Sequence, residues 1–283
     1  MKVLNKLFGI FKKPTTTQQP IEEPDIFAKL STGCLYLGNA QHQGKRNYQE
    51  DSFGISEISG TTSLERGVLA VLADGMGGLQ NGKNVSEAVV SSLLDWFNNK
   101  PDTNTNGAQL KQITMDINHK ICDTYCKNGK VNAGSTAVEA FVKDGILHWL
   151  CIGDSRLYIK RGGRIYQINE DHDYLNELLG DAINDSTSVS RAFDDPQKDS
   201  LVGCIGNRKF EDFDYSKRGY PLMYGDILML CSDGIYNALS RNELTELITD
   251  DAMESCRNIV ELVKAKNLHG QDNNTVIIMA YKK

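Results

Sequence analysis

The chain has 283 residues, 40% of them apolar, enough to bury the core of one large domain or two small ones. Its 31 Lys and Arg against 37 Asp and Glu leave a net charge of −6, which argues against a general nucleic-acid binder or a nuclease with a basic groove. No run approaches the ~20 apolar residues of a membrane-spanning helix, and the 7 cysteines, with no CxxC pair, read as reduced thiols of a cytoplasmic protein.

The opening stretch, MKVLNKLFGIFKK, puts Val3, Leu4, Leu7, Phe8 and Phe11 on one helical face. It reads as a frayed tail or as a helix docking on an anionic membrane or a partner protein, the second placing the chain peripherally at the inner membrane surface. PTTTQQPIEEP, at 14–24, is a linker by its prolines and threonine run. The expected organisation is therefore a flexible segment over 1–24 and one domain over 25–283.

Within the domain, strand signals fall near 33–38, 52–58, 67–73, 135–143, 146–152, 156–160, 164–168, 226–231 and 274–281. Tight turns at KDG (143–145) and RGG (161–163) favour antiparallel hairpins. Helical periodicity covers 82–98, 107–127, 171–179, 240–248 and 251–266, with Ser240 and Glu243 in capping-box spacing. Cys122 and Cys126, one turn apart, read as helix packing. Helices arriving in pairs between groups of strands predict antiparallel sheet layers covered by helices. The aspartate-rich stretch 180–200 reads as a mobile loop or flap.

The chemistry gathers at strand ends. Asp74 closes the apolar run of VLADGMGG, and the glycines after it let the backbone turn with the Gly75 carbonyl exposed. Asp233 closes a second apolar run and precedes Gly234; Asp272 stands just before the last strand. Each reads alone as an ordinary turn residue. Together, carboxylates at strand ends are what a hard-cation site requires. Upstream, Arg46 offers a planar fork suited to phosphate. Glu50 and Asp51 point to opposite faces of an extended chain, so at most one should face a metal directly.

RNYQEDSF, LADGMGG, AGSTAVEAF, CIGDSRLYIKRGGRIYQINEDHDY, LCSDGIYNAL and QDNNTVII resemble, in order, the motifs of the metal-dependent phosphatases of the protein phosphatase 2C type, most closely the bacterial serine/threonine branch. The resemblance spans about 33–282. It implies an α+β fold, a four-layer αββα sandwich of two mainly antiparallel sheets flanked by helices. It also implies two Mn²⁺ or Mg²⁺ ions, with Asp74 bridging them, the Gly75 carbonyl on one, Asp233 and Asp272 on the other, Glu50 holding coordinated water and Arg46 gripping the substrate phosphate. The reaction so implied is hydrolysis of phosphoserine and phosphothreonine by direct attack of a bridging hydroxide, with no covalent phospho-enzyme.

This sequence departs from the family pattern at Val131, where many members carry an aspartate that helps hold a third ion, and at Asn237, where some also carry an aspartate. The expectation is a third metal that is weak or absent, and slow turnover. Met76 stands where eukaryotic relatives often have a histidine general acid, and methionine has no proton to donate. His42 and His172 read as structural, and Asp154 as a turn brace. The expected partners are phosphorylated proteins and an opposing Ser/Thr kinase, with no nucleic acid, for a monomeric enzyme. A rival reading keeps the fold without catalysis, as a phosphoprotein-binding or regulatory module.

Overall fold

A computed structural model describes residues 27–30, 32–58, 62–76, 81–99, 105–125, 133–184 and 187–283. The segment 1–24, Cys126 and Val131 lie outside the described residues. The first half of the chain forms β1 (Phe27–Lys29), β2 (Cys34–His42), β3 (Ser52–Ile55), α1 (Thr62–Arg66), β4 (Val68–Ala73), β5 (Gly75–Met76), α2 (Asn81–Asn99), α3 (Gly107–Tyr125), β6 (Gly134–Ser135) and β7 (Ala137–Lys143). The second half forms β8 (Ile146–Ile152), β9 (Arg156–Arg161), β10 (Arg164–Gln167), α4 (Tyr174–Ile183), α5 (Val189–Asp194), β11 (Asp214–Tyr215), β12 (Tyr220–Pro221), β13 (Ile227–Cys231), α6 (Asp233–Tyr236), α7 (Arg241–Leu247), α8 (Ala252–Lys266) and β14 (Asn274–Lys282).

Two antiparallel sheets stack face to face, one in the order β1-β2-β14-β13-β9-β10 and the other β11-β8-β7-β4-β3. Strand β4 shows why a sandwich covered on both sides is the stable solution. All its residues are buried, and they divide with period 2: Val68, Ala70 and Leu72 join the core between the sheets, while Leu69, Val71 and Ala73 join the core beneath α2 and α3. On the other sheet, Ile277 and Met279 of β14 face inward, and Val276 and Ile278 face the core that carries Ala252, Cys256 and Ile259 of α8. The four layers are therefore α-β-β-α, as the resemblance implied. No helix among the described residues is long and apolar enough to cross a membrane.

The aspartate-rich stretch expected to be a mobile loop or flap carries helix at α4 and α5, hereafter the flap. α4 runs on to Ile183, and α5 forms where Ser188 accepts a hydrogen bond from the Arg191 amide at 3.3 Å. α4 also begins later than the periodicity predicts, because Asp173 caps it by accepting from the Asn176 amide at 2.8 Å. Asp171 and His172 are instead held to β9 and the turn before it.

Candidate active site

Register places the predicted residues at one end of the sandwich. β4 ends with Ala73 opposite Ser52, the first residue of β3. In the facing sheet, β13 ends with Cys231 opposite both Val276 and Arg156, and β14 begins with Asn274 opposite His42, the last residue of β2. The segments just beyond these ends converge on a cavity of about 300 Å³ lined by Arg46, Glu50, Asp74, Gly75, Met76, Thr136, Asp154, Leu201, Asp233, Asp272 and Asn273. All the predicted site residues therefore meet in one place.

Local polar contacts hold each of them. Asp74 is fixed through its backbone: its amide donates to Thr136 Oγ1 at 2.9 Å, and its carbonyl accepts from Ser135 Oγ at 3.0 Å and the Thr136 amide at 2.9 Å. The Gly75 amide donates to the Glu50 carbonyl at 3.2 Å. A Cβ on Gly75 would lie 2.3 Å from the Gly82 carbonyl oxygen, so only glycine allows α2 to close on this turn. Glu50 is set by Asn273, whose Oδ1 accepts from the Glu50 amide at 2.8 Å while its Nδ2 donates to the carbonyls of Gln43 and Tyr48 at 2.7 and 3.0 Å. Arg46 extends Nη2 to Asp272 Oδ2. Asn237 Nδ2 donates to Asp233 Oδ2 at 3.3 Å.

Asp51 does not line the cavity but stands against Asp74 from behind it. Its Oδ2 accepts from Ser232 Oγ at 2.8 Å and Thr275 Oγ1 at 2.7 Å, tying together the strand ends that carry Asp233 and Asp272. His42 and His172 each accept a backbone N–H through Nδ1, from Gly44 at 2.9 Å and Gly153 at 3.0 Å, a structural role in both.

The crowding of carboxylates shows in their proton affinities. Burial, then the nearby charges of Asp51 and Asp233, hold the Asp74 carboxyl well above its ordinary range. Burial and then Asp272 push Asp233 up to about 7. Burial raises Asp154 to about 6, and it raises Glu50 despite the opposing charge of Arg46. Glu50 Oε1 and Asp233 Oδ1 are buried without a hydrogen-bond partner. Oxygen-rich, electron-rich and under-satisfied, this donor set fits divalent cations that prefer oxygen. Among the described residues no three His, Cys, Asp or Glu side chains stand close enough together, as placed, to hold one metal ion between them. The carboxylates share a cavity wall instead of converging on a point.

The sequence did not reveal every contributor. Asp154 lines the cavity as well as serving a turn, and its own carbonyl accepts from Tyr236 Oη at 3.0 Å. Gly82 was also missed: a Cβ there would lie 2.5 Å from Glu50 Oε1. Asn273 and Thr136 sit beside recognised residues, and only their hydrogen-bond partners mark them as positioning groups.

Comparison with known proteins gives the family. The family model described as protein phosphatase 2C matches residues 40–269. A serine/threonine phosphatase of Listeria monocytogenes is 28% identical over 240 residues, covering 83% of this chain and 90% of its own length. The Staphylococcus aureus serine/threonine phosphatase Stp1 superposes with a TM-score of 0.71 at 26% identity, over 88% of this chain and 96% of the other. The catalytic domain of the phosphatase PstP, in complex with two manganese ions, shares the fold with a TM-score of 0.69 at 24% identity, over 88% and 99%. With a sandwich whose strand ends assemble the motifs around one acidic cavity, and with a family match over most of its length, the chain belongs to the protein phosphatase 2C family and is a protein phosphatase.

Proposed function

We propose that the chain hydrolyses phosphoserine and phosphothreonine in proteins at this cavity, with two Mn²⁺ or Mg²⁺ ions held by Asp74, the Gly75 carbonyl, Asp233 and Asp272, and with Glu50 orienting coordinated water. The observation that carries the reading is the convergence of Glu50, Asp74, Asp233 and Asp272 on one cavity beside Arg46. When bound, divalent cations supply Lewis acidity, lowering the pKa of water and neutralising phosphoryl charge.

The chain's own residues do the rest. Arg46 is half-exposed and commits one arm to Asp272, which leaves its planar fork at the cavity mouth to bind phosphoryl oxygens. Asn273 and Thr136 keep Glu50 and Asp74 in place before substrate arrives, so little reorganisation is needed during reaction. Among the described residues no cysteine lines the cavity, so none of them offers a thiolate nucleophile, and direct hydrolysis fits this lining. Met76 lines the cavity without a proton to give, and the leaving alkoxide takes its proton from another group.

Asn237 supplies an amide where a third ion would need a carboxylate, which supports a weak or absent third site and slow turnover. The expected setting is the cytoplasm, with phosphoproteins as substrates, an opposing Ser/Thr kinase as partner and a monomeric enzyme. The test is hydrolysis of p-nitrophenyl phosphate and a phosphothreonine peptide, with and without Mn²⁺, by the native chain and Asp233→Asn. Mn²⁺-dependent turnover lost in the variant supports the proposal. A folded native chain that binds Mn²⁺ and turns over neither compound favours the regulatory module.

A further inference from the structure

Outside the ligand set, Arg156 opens β9 at the site end of the sandwich. Its Nε and Nη2 fork onto Asp171 Oδ2 at 2.9 and 2.6 Å, and its Nη1 donates to Tyr158 Oη at 3.2 Å. The guanidinium carbon stacks 3.5 Å from the centre of the Tyr236 ring. Edge and face of one planar cation are thus used at once, in a side chain that is only 23% exposed. Lysine, a point charge on a flexible stem, reproduces neither contact.

The two partners belong to different parts of the site. Tyr236 closes α6, the short helix that Asp233 opens, and its hydroxyl reaches the Asp154 carbonyl. Asp171 belongs to the base of the α4–α5 flap, where its carbonyl accepts from Asn176 Nδ2 of α4 at 2.6 Å. The adjoining His172 donates its amide to the Gly153 carbonyl at 2.9 Å and accepts from the Val202 amide at 2.9 Å, next to Leu201 in the cavity wall.

We infer that Arg156 is a positioning residue: clamped between Tyr236 and Asp171, it locks the base of the flap to the helix that carries Asp233, fixing the wall a phosphopeptide must lie against. The inference rests on the phosphatase reading of the cavity. It separates substrates by size. An aryl phosphate needs only the carboxylates and Arg46, whereas a peptide also needs the flap in register.

The test compares Arg156→Lys, Asp171→Asn and their double variant with the native enzyme in Mn²⁺. The expected result for Arg156→Lys is a KM for a phosphothreonine peptide raised about tenfold, with kcat/KM for p-nitrophenyl phosphate held within about threefold. Backbone amides of 174–183 should exchange faster by hydrogen–deuterium exchange. Asp171→Asn should move the same quantities in the same direction, and the double variant should be little worse than the worse single. Equal losses on both substrates with unchanged exchange, or fully additive losses, overturn the clamp. If Arg156→Lys does not fold, Tyr236→Leu is compared with Tyr236→Phe, which loses the same hydroxyl contact to Asp154 but keeps the stacking face. Tyr236→Leu should give the same split between substrates relative to Tyr236→Phe, and an even loss overturns the proposal. If the native chain hydrolyses neither compound, the phosphatase reading fails and exchange alone decides: faster exchange of 174–183 in Arg156→Lys supports the clamp, and unchanged exchange sinks it.

Discussion

Between the sheets, Val68, Ala70 and Leu72 share a dry core with Leu228, Leu230, Ile277 and Met279. One residue past β4, and two past β13, the same strands deliver Asp74 and Asp233 to a cavity where carboxylates outnumber cations. The interior is arranged so that every side chain gains from its neighbours. The carboxylate end is arranged so that neighbours repel, and burial with mutual charge raises the proton affinity of Asp74 and Asp233. Stability and function are thus placed on successive stretches of the same strands, and the rigid first part positions the strained second.

Removing one charge from the crowded end tests this division most severely. Asp74→Asn should cut Mn²⁺-dependent hydrolysis of a phosphopeptide on the order of a thousandfold. The melting temperature of the metal-free protein should hold or rise, since a source of repulsion is gone. A large fall in melting temperature would show the carboxylate to be structural.

A buried carboxylate without the cavity's purpose sharpens the comparison. Glu139 in β7 is fully buried, accepts from Thr114 Oγ1 at 2.6 Å through Oε1, and leaves Oε2 without a partner. Burial pushes its carboxyl up to about 8 from an ordinary 4.5, so the folded chain holds this proton more tightly than the unfolded chain. That contribution to stability is complete below the unfolded value and is lost as pH rises through the folded one, with a ceiling of about 5 kcal/mol. Urea titrations should therefore show Glu139→Gln gaining on the native chain between pH 5 and pH 8. A constant difference across that range would mean the carboxyl is not protonated when buried.

In the core itself, Leu72→Ala removes a fully buried side chain and should cost about 3 kcal/mol by urea titration. The kcat of the fraction that remains folded should be unchanged. Gly82→Ala acts on the site directly. Its new Cβ would meet Glu50 Oε1, so phosphopeptide turnover should fall about tenfold. Stability should also fall, by about 1–3 kcal/mol, because the same Cβ would lie 2.9 Å from the Gly75 backbone carbon. A loss of folding without a specific loss of turnover would remove Gly82 from the site.

Much of this was legible in the sequence because it is written locally. The all-apolar run of β4, the hairpin glycines, and the Ser240–Glu243 capping box, which forms with both of its hydrogen bonds, depend on residues a few positions apart. Motif order pointed to Arg46, Glu50, Asp74, Gly75, Asp233 and Asp272, and the structure brings them to one cavity. What was not legible depends on distance along the chain. The helix α5 has only a short polar pattern and a single capping serine to announce it.

Among the described residues, the sequence by itself determined the strands of four residues or more, the five longest helices and the residues at the strand ends, since periodicity, caps and turn chemistry act within one or two turns of chain. Only the tertiary structure decided that Asp154 joins the cavity while Asp51 braces two strands from behind it, that Gly82 makes room for Glu50, and that Arg156 touches both Asp171 and Tyr236 of α6. Those outcomes follow from pairings between residues as far apart as Asp51 and Thr275, which no local pattern encodes.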